Sequence, residues 1–253
     1  MAYREKRIYS GKVLEVEIYY VSEKERKRPR REKTKESAPK QKNLNDKNAK
    51  KHLIRLINTN FTDNDLSVTL TYDDDNYPAS EEDAKKDVVN FLRRVKRHCK
   101  KNNLPNLKYI AVIEYKDPSE HQKKVRIHHH LIISGDIDRD EVEKLWKKGR
   151  ANADRLKADE NGYEALARYI SKDPKGNKRW TQSRNLKQPV IKVNDYKYSK
   201  KRVETLAKDP EDRQTFEKLY EGYILTECKA KHNDLTGTSL YIKMRTYKKE
   251  GLN

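Results

Sequence analysis

Arg126-Ile127-His128-His129-His130-Leu131-Ile132-Ile133 is an apolar run holding three consecutive histidines, in a chain with only seven. Its length and its polar flanks read as a β-strand over residues 126–134. Successive side chains of a strand alternate, so His128 and His130 share one face and His129 takes the other. Two imidazoles side by side on a rigid strand make a ready pair of metal ligands. A second strand over 108–115 contains Ala111-Val112-Ile113-Glu114-Tyr115. If the two strands pair as a hairpin through the polar loop at Pro118, Glu114 completes a site of two imidazoles and one carboxylate. That mixed nitrogen and oxygen set suits Mn²⁺ or Mg²⁺ rather than a structural zinc, which prefers thiolates. Hydrogen-bonded strand histidines beside a surface Glu are the other reading of the same residues.

Working outward, Leu66-Ser67-Val68-Thr69-Leu70-Thr71-Tyr72 is a strand rich in β-branched residues, ended by the acidic turn Asp73-Asp74-Asp75-Asn76. Ser80 and Asp83 form a capping-box-like start for a long helix. Ala84, Val88, Leu92, Val95 and Cys99 trace its apolar face, and Arg93, Arg94, Lys96 and Arg97 a basic one. A short helix follows Asp138 with Val142, Leu145 and Trp146 inward, and residues 150–158 read as a further strand. Nearer the N-terminus, residues 8–21 alternate as one half-buried strand with Leu14, Val16, Ile18 and Tyr20 on one side. Residues 22–51 carry thirteen Lys and Arg with almost no apolar residues, too polar to bury a core. They read as a mobile basic segment, turning helical near residues 50–58. Beyond residue 191 come a charged helical stretch over 199–221, interrupted near Pro210, and strands over 223–228 and 239–246. The expected organisation is a strand and basic segment over 1–60, a main domain over 61–190, and a helix with a strand pair over 191–253 packed on it. The fold class is α+β, a mostly antiparallel sheet with helices on one face.

A second chemical element lies on a helix over 163–172, Tyr163-Glu164-Ala165-Leu166-Ala167-Arg168-Tyr169-Ile170-Ser171-Lys172. Its apolar stripe is Tyr163, Leu166, Ala167 and Ile170. Tyr169 falls off that stripe and shares its side with Lys172, three residues on. A phenol held off the core face, one turn before a lysine, is placed as a nucleophile. Its reference pKa of about 10 calls for help at neutral pH, and Lys172 can favour the phenolate or stabilise charge on a phosphate. An ordinary exposed helix tyrosine is the bland alternative. Tyr163 points into the stripe and reads as structural.

Composition supplies the partner class. Lys and Arg number 59 against 40 Asp and Glu, a formal charge of +19. Such an excess suits a polyanion, because neutralising phosphates releases condensed counterions. Sixteen Tyr against three Phe and two Trp add rings that stack on bases. Cys99 and Cys228 lie in no metal or redox pattern and read as reduced thiols. Neither a signal peptide nor an apolar run of about 20 residues is present. A soluble, cytoplasmic protein is therefore expected.

Together these residues resemble the HUH endonuclease superfamily, and within it the rolling-circle replication initiators of phages and plasmids. Three motifs match in order over residues 61–190. Ser67-Val68-Thr69-Leu70-Thr71-Tyr72 resembles the first. Ile127-His128-His129-His130-Leu131 resembles the His-hydrophobic-His motif, with His129 in the hydrophobic place. Tyr169-Ile170-Ser171-Lys172 resembles the Tyr-x-x-Lys motif. Lys178-Arg179-Trp180 followed by Ser183-Arg184-Asn185-Leu186 further resembles phage-type replication-associated proteins. The resemblance implies an RRM-like palm, with metal (Glu114, His128, His130) and nucleophile (Tyr169, aided by Lys172) meeting over one face. It also implies single-stranded origin DNA as substrate, a 5′-phosphotyrosine link, and a bacterial host cytoplasm. No Walker loop is present, so a helicase and a polymerase are expected to be separate host proteins. A relaxase or single-tyrosine transposase of the same superfamily, or a non-catalytic nucleic-acid-binding module, are the rival readings.

Overall fold

A computed structural model describes residues 2–22, 39–116, 125–172 and 179–247. Most of the basic segment (23–38), the loop through Pro118, Asp173-Pro174 and Lys178 lie outside the described residues. The fold is α+β, with two five-stranded antiparallel sheets and helices packed on them. The chain divides into two compact units, residues 60–158 with 163–187, and residues 1–59 with 159–162 and 188–253.

The first unit holds β3 (Leu66–Thr71), α2 (Glu81–Lys101), β4 (Tyr109–Lys116), β5 (Val125–Ile133), α3 (Arg139–Lys144), β6 (Ala151–Arg155), α4 (Glu164–Ile170) and β7 (Thr181–Gln182). Its sheet order is β6-β3-β5-β4-β7. Alternation decides the two faces. Leu66, Val68 and Leu70 of β3, with Leu131 and Ile133 of β5, enter one core with Val88, Phe91, Leu92 and Val95 of α2. Ser80 caps α2 as expected, accepting from the Asp83 amide, and three acidic residues in the first turn suit the helix dipole. Asp138 caps α3 in the same way, and Val142 and Trp146 are buried. One member of the expected basic face is not free: the Arg94 guanidinium donates to the carbonyls of Leu145 at 2.7 Å and Trp146 at 2.8 Å. It satisfies the carbonyl end of α3, where a helix leaves acceptors unpaired.

The second unit holds β1 (Ala2–Ser10), β2 (Val13–Val21), α1 (Pro39–Asn60, which runs to the boundary), β8 (Val190–Tyr198), α5 (Lys200–Lys208), α6 (Arg213–Leu219), β9 (Tyr223–Asn233) and β10 (Gly237–Thr246). The sheet order is β8-β1-β2-β10-β9. The single strand expected over 8–21 is a hairpin, turning at Gly11 with φ +58°. A Cβ there would lie 2.0 Å from the Asn58 carbonyl oxygen, so close approach and handedness both require glycine. Leu14, Val16 and Ile18 do share a face, packed with Val203, Leu206 and Phe216. The opposite face meets α1, whose Arg55 pairs with Glu15 at 2.7 Å and Glu17 at 3.2 Å. Helix α1 thus begins well before residue 50. Glu5 is buried in the first face and accepts from Arg7, Tyr220 and Lys197 at 2.8, 2.8 and 3.0 Å. Burial works against its charge, yet those three donors outweigh it and hold the carboxyl below its ordinary range. Both ends of the chain, assigned to separate segments from sequence, share this one sheet. No described helix is long and apolar enough to cross a membrane.

Candidate functional site

The site is built on the face of the first sheet that α2 leaves open. In the register of β4 with β5, Glu114 stands opposite His128 and Val112 opposite His130. In that of β3 with β5, Thr71 stands opposite His128 and Thr69 opposite His130. The hairpin anticipated from sequence therefore exists, and it brings the carboxylate beside both imidazoles. His128 Nε2 and His130 Nε2 are 3.1 Å apart. Glu114 Oε2 lies 3.5 Å from the first and 3.3 Å from the second. One ligand atom from each of the three residues falls within 4.8 Å of the others.

What surrounds the imidazoles prepares them as ligands. His128 Nδ1 lies 2.9 Å from the Arg126 carbonyl. A carbonyl only accepts, so Nδ1 carries the proton and the Nε2 lone pair faces the cluster. His130 Nδ1 lies 3.4 Å from Thr69 Oγ1, which fixes the second ring. His130 is buried, and burial first, then His128, lower its pKa, with Glu114 opposing. The neutral imidazole is the form that binds a cation. Two imidazoles and a carboxylate, with no thiolate, are a donor set that fits a divalent ion accepting both nitrogen and oxygen.

His129 takes the other face, as alternation requires. It is 2 % exposed, its Nε2 is 2.9 Å from the Tyr72 hydroxyl, and its ring packs edge-on to Tyr72 and Trp146. Burial, with the charges of His128 and His130, pushes its pKa down to about 3. It is a core residue.

Tyr169 projects from α4 with its ring 5.2 Å from that of His130, edge to face, and is 61 % exposed. Exposure of a large ring beside a ligand cluster leaves its hydroxyl accessible. Tyr163 forms the N-cap position, is buried, and donates to Asp63 at 2.8 Å. Burial and Asp63 raise its pKa, which suits a structural tyrosine. The helix is shorter than expected: Ser171 is its C-cap, and Lys172 follows, exposed, with its amide on the Tyr169 carbonyl at 3.2 Å. A residue before proline disfavours the α region, so the Asp173-Pro174 pair stops the helix here.

Sequence reasoning missed Thr69 and the Arg126 carbonyl. The Thr69 signal was present, since polar residues at alternate positions of β3 mark its open face, but the strand was read only for its β-branched content. It also missed the Arg126 side chain, which lies over the Tyr77 ring at 4.7 Å and pairs with Asp74 at 2.7 Å.

A family model for replication-associated proteins of the ORF2 type matches residues 65–174. That stretch takes in Glu114, His128, His130, Tyr169 and Lys172, and the match supports a role in replication initiation. No curated protein and no solved structure matches the chain.

Proposed function

We propose that this protein is a metal-dependent tyrosine DNA endonuclease of the HUH type, which nicks single-stranded origin DNA to initiate rolling-circle replication of a phage or plasmid. The observation that carries the reading is Tyr169, exposed and 5.2 Å from the ring of His130, over a cluster that also contains Glu114 and His128. A divalent cation, Mn²⁺ or Mg²⁺, held by these three residues supplies Lewis-acid polarisation of the scissile phosphate and orients it for in-line attack. Tyr169 Oη attacks phosphorus and loses its proton to solvent. The bond from phosphorus to the 3′ oxygen breaks, and that oxygen leaves as a 3′-OH once protonated. A phosphodiester is thus exchanged for a 5′-phosphotyrosine ester, so a 3′-OH can later reseal the strand without a nucleotide cofactor. Lys172 stabilises the developing negative charge. Unwinding and synthesis fall to a host helicase and polymerase in the bacterial cytoplasm.

The test is nicking of labelled single-stranded origin DNA. EDTA abolishes cleavage, Mn²⁺ or Mg²⁺ restores it, and Tyr169→Phe is inactive with either ion. Cleavage that persists in Tyr169→Phe contradicts the proposal.

A further inference from the structure

The Ser183-Arg184-Asn185 stretch has no role in the chemistry above, yet it is built firmly into the first unit. Ser183 exchanges hydrogen bonds with Tyr109 of β4, its Oγ accepting from the amide at 3.1 Å and its amide donating to the carbonyl at 3.0 Å. Asn185 Nδ2 donates to the carbonyls of Asn106 and Leu107 at 3.1 and 3.4 Å. This anchoring makes one wall of an open groove of about 910 Å³, whose other wall is the C-terminal half of α2. Lys96, Lys100 and Arg184 line it, and no Asp or Glu does among the described residues. All three cations are exposed. Lys96 Nζ lies 5.0 Å over the Tyr109 ring, also part of the lining. Asn103, Asn106 and Gln182 add amides, which both donate and accept.

Three unopposed cations, an aromatic ring and several amides are the elements that bind a nucleic acid strand, with charge for phosphates and amides for base edges. The volume lies in the roughly 300–1,000 Å³ range of ligand sites. Tyr109 and Glu114 are five residues apart on β4, about 17 Å along an extended strand. A DNA strand crossing the β7 edge of the sheet therefore spans groove and ligand cluster with a few nucleotides. We propose that this groove binds the single-stranded DNA flanking the nick, with Arg184 and Lys100 on its phosphates and Tyr109 and the amides toward its bases. The inference rests on single-stranded DNA being the substrate, but not on Tyr169 being the nucleophile.

The experiment is fluorescence anisotropy of the full chain with labelled mixed-sequence single-stranded DNA, in EDTA so that no cleavage intervenes. Lys100→Ala/Arg184→Ala weakens binding about tenfold, and the log–log salt slope becomes shallower by about 1.4, or about 0.7 for each phosphate no longer neutralised. Arg184→Lys keeps most of the affinity, and all variants keep the wild-type melting temperature. Unchanged affinity and slope in the double variant overturn the proposal. Equal losses on a single-stranded RNA of the same sequence, bound as tightly as the DNA by the wild type, overturn the DNA assignment. Because Tyr169→Phe binds like wild type in this assay, a failure of the nicking chemistry leaves the groove result standing, and the reverse also holds.

Discussion

The histidine trio shows how far two-residue periodicity reaches. Alternation alone separated His128 and His130 from His129, and the pairing of Glu114 with His128 needed only the hairpin. Because the cluster has three protein ligands, His128→Ala and His130→Ala should each abolish metal-dependent nicking while leaving DNA affinity near wild type; equal loss from His129→Gln in a folded protein would contradict the assignment. His129 predicts a stability effect instead. Its folded pKa of about 3 lies below the ordinary value of 6.5, so the unfolded chain takes up the proton first. The stability it contributes is fully present above pH 6.5 and is lost as pH falls toward 3. The depressed His130 and His52 act with the same sign. Urea denaturation in EDTA should therefore show stability falling between pH 6.5 and about 4.5, before carboxylates titrate, by about 1.4 kcal/mol per pH unit for His129 alone. A flat profile there would contradict its burial as a neutral group.

Elements were legible where apolar periodicity was strong. The helix α2 emerged from its cap and its apolar stripe, and β3, β4 and β5 from β-branched runs. The break at Gly11 was hidden because apolar alternation continues on both sides of the turn. Strand β8 was not seen: Val190-Ile191-Lys192-Val193-Asn194-Asp195 mixes apolar and charged residues, and Val190, Ile191 and Val193 are all exposed, so no buried face imposed a pattern. Arg94 is a case where composition misled, since a helix-face cation is bound to backbone rather than available to DNA. Arg94→Ala should lower stability by about 1–3 kcal/mol, because it strands two carbonyls. Arg93→Ala and Arg97→Ala, both at exposed positions, should leave stability unchanged and weaken DNA binding. Chemical denaturation and anisotropy on the same three variants separate the two behaviours.

At the scale of the molecule, what sequence could not reveal is that strands from both chain ends form one sheet. Pairing of β1 with β8 links Ile8 to Ile191, and nothing local records so distant a partner. The charge excess, by contrast, is a property of the whole chain and predicts steep salt dependence. Residues 23–38 hold eight Lys and Arg. Replacing these with Ser and Gln should flatten the log–log salt slope of single-stranded DNA binding. A slope equal to wild type would assign the segment to another partner.

The central claim is that Tyr169 becomes covalently joined to DNA. Peptide mapping by mass spectrometry, on the denaturant-resistant adduct formed with single-stranded origin DNA and Mn²⁺, tests it most directly. The nucleotide should be found on Tyr169, with Tyr163→Phe still forming the adduct and Tyr169→Phe forming none. A nucleotide mapped to Tyr163, or no adduct from the wild type, would contradict the account.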